Sequence, residues 1–337
     1  MGGMGMRVIT LGTAGGPGWG RREDGTVRSG VATAIEVDGR VHLVDAGYGA
    51  GRQLVLAGFP ADALETVLIT HMHSDHLVDL PGIMLFSMWR LPLPPARTIP
   101  VIGPATGVLP RLWELAREEP TVITPHAPMP GIDETMRRLV SAFANDLNDR
   151  AFDTLRPSPL TWFEPREIPV PDEVGFDAVT ASHPSMDPVV VHRGDDVTIS
   201  ATLVDHFPTA PAFAFRIDSA YGSAVVSGDT GPSSNLVRLA RGADVLVHEA
   251  LDFGSLERAY GPEEGWTPEV RSIVGHHRRA HTSPEDAVRI AEEAGVRRLV
   301  LNHLAPSRLS RTHWKGLIPA TSIDVVVPED LDIVEVG

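Results

Sequence analysis

Three histidines and an aspartate fall within six residues at His71-Met72-His73-Ser74-Asp75-His76, directly after the apolar run Thr66-Val67-Leu68-Ile69-Thr70. A regular strand sends alternate side chains to opposite faces, so the four groups converge only if the chain turns as the strand ends. This feature requires a fold whose buried strands stop at one edge and aim loops at a common point. Imidazole and carboxylate bind zinc and similar divalent ions without help from thiolate. The chain has no cysteine, which excludes disulfides, thiolate metal sites and a cysteine nucleophile.

The rest of the sequence supplies such strands. Arg7 to Leu11, Val31 to Val37 and Val41 to Val44 read as strands, the last two joined by the hairpin dipeptide Asp38-Gly39. Gly51 to Gly58 reads as a short helix. The loop Gly12 to Gly18 is glycine-rich but lacks the G-x-G-x-x-G spacing, so it is taken as a structural turn and not a dinucleotide site. Later, Ala224 to Ser227 reads as a strand ending at Gly228-Asp229-Thr230. A helix over Asn235 to Arg241 follows, and Val245 to Val247 leads to His248-Glu249. Ser283 caps a helix with Pro284 at its first position and Gly295 past its end, and strand Leu299 to Leu301 hands over to Asn302-His303.

The 337 residues are expected to form a single domain. Residues 92–200, rich in proline and with a helical pattern over Asp133 to Phe152, are expected to be a cap or insertion within it. The formal net charge is −15, which argues against a broad basic surface for gripping nucleic acid. No basic segment followed by a long apolar stretch opens the chain, and Leu77 to Leu93 is interrupted by Asp79, Pro81, Arg90 and Pro92. No membrane partner is expected, and the cytoplasm is the expected location.

The H-x-H-x-D-H run after a buried strand resembles the signature of the metallo-β-lactamase superfamily. Val44-Asp45-Ala46-Gly47 upstream, Val204-Asp205-His206, Ser227-Gly228-Asp229-Thr230 and Leu301-Asn302-His303 are similar to that family's further motifs, and they occur in its order. The resemblance implies an α/β fold, a four-layer αββα sandwich, here with the cap insertion. It also implies two divalent metal ions, one bound by His71, His73 and His206 and the other by Asp75, His76 and His303. Asp229 would bridge them, with a water or hydroxide between the ions. Zinc is the first expectation for the metal, with manganese and iron as alternatives.

Within the superfamily, Val247-His248-Glu249-Ala250 and Ala280-His281-Thr282-Ser283 resemble motifs of the ribonuclease Z and arylsulfatase-like branch, although Leu251 stands where threonine is usual. The resemblance makes Asp75, His248, Glu249 and His281 the catalytic candidates. His248, Glu249 and His281 would form a proton-relay group near the leaving group. One departure concerns substrate. Ribonuclease Z enzymes carry a basic arm between the third-histidine and bridging-aspartate motifs, whereas here His206 and Asp229 leave room for a hairpin only. The Arg-Tyr pair that often follows the last histidine is also missing. The expectation is therefore a metal-dependent hydrolase of a small ester, a phosphodiester or aryl sulfate, with a lactone or carboxyl ester as the alternative. A small-molecule substrate is expected and nucleic acid is not, and a homodimer is left open. His42, His126, His192, His276, His277 and His313 match no motif and are read as surface or structural residues, while His183 is a candidate for the pocket edge.

Overall fold

Hydrophobic strands from the two halves of the chain build two seven-stranded mixed sheets, packed face to face. The computed structural model describes residues 4–109 and 121–337. In the first sheet lie β1 (Met6–Gly12), β2 (Ala32–Val37), β3 (Arg40–Val44), β4 (Leu64–Leu68), β5 (Ile99–Gly103) and β6 (Phe163–Glu167). In the second lie β7 (Val189–Arg193), β8 (Val197–Leu203), β9 (Phe213–Ser219), β10 (Gly222–Val226), β11 (Val245–Leu251), β12 (Arg298–Ala305) and β13 (Asp324–Val326). The C-terminal β14 (Asp332–Val336) crosses back to pair antiparallel with β1, giving the orders β14-β1-β2-β3-β4-β5-β6 and β13-β12-β11-β10-β9-β8-β7. The β2–β3 turn has Asp38 and Gly39 at φ 49° and 82°, the left-handed pair that a two-residue hairpin requires.

Alternation along the strands divides the core into three layers. Met6, Val8, Ile35 and Leu68 of one sheet meet Ile199, Phe213, Phe215 and Val247 of the other. Each such fully buried side chain stabilises the fold by about 1.5–3 kcal/mol relative to exposure. On the outer face of the first sheet, Leu11, Leu43 and Val67 are covered by helices. These are α1 (Ala50–Leu56), α3 (Leu80–Ser87), which follows the single turn α2 (Ser74–Leu77), α4 (Ile132–Ala142) and α5 (Ala144–Thr154). The second sheet's outer face packs under α6 (Ser234–Ala240) and, beyond α7 (Phe253–Tyr260) and α8 (Pro268–Ala280), under α9 (Pro284–Ala294) and α10 (Arg311–Gly316). The result is the αββα sandwich expected. The cap of α9 is also as read: Ser283 Oγ accepts from the Asp286 N–H at 3.0 Å, and Gly295 closes the helix at φ 66°. Among the described residues, no helix is long and apolar enough to cross a membrane.

Two readings are corrected. Residues 92–200 are not simply a cap, because they supply β5 and β6 to one sheet and β7 and most of β8 to the other. Pro165 lies in the edge strand β6, where a missing N–H costs little, while Pro100 lies near the start of β5, which is paired on both sides. The single helical pattern over Asp133 to Phe152 is two helices, broken at Phe143.

His42 lies buried in β3, its Nδ1 3.0 Å from Thr66 Oγ1. Burial, helped by the charges of neighbouring cations, pushes its pKa down to about 3. The native ring therefore stays neutral, while the unfolded chain takes up a proton below about pH 6.5. Stability is lost as pH falls from there toward 3, at up to about 1.4 kcal/mol per pH unit for this site. In urea titrations between pH 6 and pH 4, His42→Asn is expected to flatten the pH dependence of the unfolding free energy by up to that slope. An unchanged slope would show that His42 does not contribute to acid unfolding.

Candidate metal centre

The second halves of the strands converge on one edge of the sandwich, and the chemistry-bearing residues lie there. His71 and His73 follow the end of β4, and Asp75 and His76 form the first turn after it, in α2. His206 follows β8 and Asp229 follows β10. His303 arrives differently, from within β12. There Glu249 pairs with Asn302 and Ala250 with Leu304, so His303 is the extra residue of a β-bulge at φ 42°. A bulge re-aims a side chain that a regular strand would send elsewhere. Glu249 likewise lies inside β11, which runs on to Leu251 beyond the expected strand end.

These seven residues form contiguous groups. Donor atoms of His71, His73 and His206 lie within 4.8 Å of one another, as do those of Asp75, His76 and His303. Asp229 sits between the groups, its Oδ2 at 3.9 Å from His71 Nε2, 3.3 Å from His76 Nε2 and 3.2 Å from His303 Nε2. The other nitrogen is held by protein in the rings of His71, His73, His76 and His206, whereas His303 Nδ1 is buried with no partner among the described residues. His206 Nδ1 donates to the Ala280 carbonyl at 2.9 Å, His76 Nδ1 donates to Asp45 Oδ2 at 2.8 Å, and His73 Nε2 lies 2.7 Å from Thr209 Oγ1. Thr70 Oγ1 donates to Asp45 and accepts from His71 Nδ1 at 3.1 Å. Each such tie turns the remaining lone pair inward.

The inward atoms fit a cation. His71 Nε2, His76 Nε2 and Asp229 Oδ1 are buried with no hydrogen-bond partner among the protein groups. Leaving such groups unsatisfied costs about 1–3 kcal/mol each, a cost that a bound cation removes. Burial, with neighbouring imidazoles, holds the pKa of His71 well below its ordinary value, and burial also dominates the lowering at His206. Neutral rings of this kind are the metal-binding form. Burial would raise the carboxyl of Asp229, but the surrounding histidines His303, His76 and His71 keep it ionised.

Two of the three relay candidates meet beside this centre. His281 Nδ1 donates to Glu249 Oε1 at 3.0 Å, and the same oxygen accepts from the Thr230 and Thr282 N–H groups. Although burial opposes the charged form, the Glu249 carboxylate holds the His281 pKa up to about 9. His281 stacks at 5.9 Å from the His303 ring. His248 is not with them. It shares a face of β11 with Leu246 and Ala250, which pack under the helices, and its Nδ1 donates to the Glu249 carbonyl.

The sequence motifs assign no role to two further residues here. Asp45, at φ 61° after β3, ties Thr70 to His76, and the signal was available as a carboxylate directly following a buried strand. His276, read as peripheral, lies 6.4 Å from both the His206 and His281 rings, where α8 folds back over the centre. Asp45→Asn keeps an oxygen for Thr70 but removes the charge behind His76. It is expected to weaken divalent-metal binding by about 10–100-fold in chelator competition. Unchanged affinity would mean that Asp45 only shapes the turn.

A histidine-carboxylate cluster at one edge of an αββα sandwich defines the metallo-β-lactamase class of fold. A family model described as "Beta-lactamase superfamily domain" matches residues 117–304. The chain is 31% identical over 282 residues to ribonuclease Z of Mycobacterium sp. (strain KMS), covering 83% of this chain and 79% of that protein. It is 30% identical over 317 residues to ribonuclease Z of Mycolicibacterium gilvum (strain PYR-GCK), covering 92% and 91%. Among solved structures, the short form of human tRNase Z superimposes with TM-score 0.59 at 17% identity, over 98% of this chain and 99% of that one. A diphosphatase of the PhnP family gives 0.59 at 15%, over 98% of each. These two show the fold alone.

The chain belongs to the β-lactamase superfamily, in the branch of the ribonuclease Z proteins. It is a hydrolytic enzyme acting on ester bonds. The exclusion of nucleic acid as a partner is corrected by these relatives, which are ribonucleases by name. The exclusion failed because net charge sums the whole surface, while phosphate contacts are made locally. Arg279 stands at the end of α8, next to the Ala280 whose carbonyl holds His206, in a chain of net charge −15.

Proposed function

We propose that this chain is a dinuclear metal-dependent phosphodiesterase that cleaves RNA, with the 3′ trailer of precursor tRNA as the first substrate to test. His71, His73 and His206 would hold one cation and Asp75, His76 and His303 the other, with Asp229 shared between them. Zinc is the first choice for both. The convergence of these buried donors, several without a protein partner, carries the reading of a metal hydrolase. The ribonuclease Z relatives support RNA as the substrate class.

When bound, a pair of divalent cations lowers the pKa of water and neutralises charge developing on phosphoryl oxygens. The protein's own part is positioning and proton transfer. Asp45, Thr70 and the Ala280 carbonyl fix ring orientation. Glu249, buried and held by two backbone N–H groups, keeps His281 protonated through Nδ1, which leaves Nε2 as the nitrogen not engaged by Glu249. That nitrogen donates the proton which the departing ribose oxygen needs as the P–O bond breaks.

A second reading, a small phosphodiester as substrate, is favoured by the short link between His206 and Asp229. That link contains only the β9–β10 hairpin. The two are separated by incubating the metal-loaded protein with precursor tRNA and with bis(p-nitrophenyl) phosphate. Release of the 3′ trailer supports the first. Hydrolysis of the small diester with the RNA intact selects the second, and inactivity on both overturns both.

A further inference from the structure

Beside the centre lies an open cavity of about 420 Å³ that no part of the mechanism above uses. Its floor is Phe207, the residue after His206, and Arg279 projects over it with the guanidinium carbon 4.4 Å from the ring centroid. The opposite wall is the segment 179–184, including Val179, Ser182 and His183.

Three chain segments lock this arrangement to the centre. The Ala280 carbonyl takes the proton of His206 Nδ1, so Phe207 and Arg279 are the next residues on two strands of chain already joined. Gly231 donates its N–H to the Asp205 carbonyl at 2.8 Å and lies flat against Arg279, where a Cβ would come within 2.2 Å of the Arg279 carbonyl oxygen. The far wall is tied down by Asn235 Nδ2, which donates to the Pro184 carbonyl at 2.8 Å.

The lining has the character of a base-binding surface. Among the described residues, the Arg279 guanidinium enters no ion pair, and it is exposed. The cavity's one carboxylate, Asp205, has His183 Nδ1 at 3.2 Å, a partner that offsets its charge toward a phosphodiester when the imidazole is protonated. A flat cation stacked on an aromatic ring offers a π-platform and a phosphate contact together. The volume falls in the range of small-ligand pockets.

We propose that this cavity is a nucleobase subsite, in which one unpaired base adjacent to the scissile phosphodiester stacks on the Phe207–Arg279 pair. This inference rests on the RNA reading above and refines it, because a base can enter only from a single-stranded segment. Arg279 is a specificity residue in this scheme through its plane as well as its charge.

The test is fluorescence anisotropy with the full-length, metal-loaded protein and a labelled single-stranded phosphorothioate oligoribonucleotide, which resists hydrolysis. An abasic oligomer of the same length and charge serves as the control. Phe207→Ala and Arg279→Ala are expected to weaken binding of the base-bearing oligomer by about 5–100-fold, the usual effect of losing one stacked base. Phe207→Ala should leave the abasic oligomer unaffected, Phe207→Tyr should bind like the wild type, and Arg279→Lys should not restore affinity. Melting curves and metal content identify a variant that has misfolded, in which case the Tyr and Lys variants decide. Equal losses on both oligomers, full rescue by Lys, or unchanged binding would overturn the subsite. No binding by the wild type would overturn it too. Binding that depends on Phe207 and Arg279 without any cleavage of RNA would sustain the subsite and sink the ribonuclease reading.

Discussion

Asp229→Ala protein is expected to lose metal and activity together, the largest effect of any single substitution at this centre. The reason is position: one carboxylate oxygen faces imidazoles of both ligand groups, at 3.2 Å from His303, 3.3 Å from His76 and 3.9 Å from His71. Removing it leaves Asp75, on one side of the centre, as the one carboxylate of the seven residues to offset bound cations. Elemental analysis of unchelated wild-type protein should approach about two equivalents per chain, and the variant should fall to about one or fewer. Bound metal contributes several kcal/mol of transition-state stabilisation, so turnover should drop by about 10³-fold or more. Full occupancy in the variant, or a single equivalent in the wild type, would contradict the shared role given to this residue. Circular dichroism should show the sandwich intact, because the packed layers between and outside the sheets do not include Asp229.

His281→Ala should separate proton transfer from metal binding. Its Nδ1 is committed to Glu249, and its ring lies parallel to that of His303 at 5.9 Å, beside the centre. If it donates a proton to the leaving oxygen, the variant retains both metals while kcat falls by about 10²- to 10⁴-fold, the usual range for general acid–base catalysis. The loss should shrink for a nitrophenolate leaving group, which departs without a proton, and be complete for a ribose alkoxide. Equal losses on the two substrate types, or loss of a metal, would mean that His281 is structural or a ligand. His248→Ala should show no such leaving-group dependence, since its ring lies on the opposite face of β11, among side chains under the helices.

The sequence by itself determined the strand-ending histidine–aspartate motif and the order of the later ones, for a local reason, and the αββα class followed from the family resemblance that those motifs carry. A buried strand, a hairpin dipeptide or a capped helix is written in neighbouring residues. So Asp38-Gly39 and Ser283-Pro284 could be read directly, as could His71 to His76. What the tertiary structure alone decided depended on residues distant in the chain. The strands inside residues 92–200 became visible only through their partners, Val67 for β5 and Ala201 for β7. The bulge that turns His303 inward exists only as a mismatch of register between β11 and β12. The proline-rich composition and the net charge misled, because both are averages over a segment or a surface. Pairing registers and local charge beside a site are not averages. The same holds within the relay motif, where His248 and Glu249 are adjacent in sequence and so point to opposite faces of one strand. Only the fold could say which face looks into the centre, and it brought Glu249 there, against an oxygen-seeking imidazole from a loop thirty-two residues away.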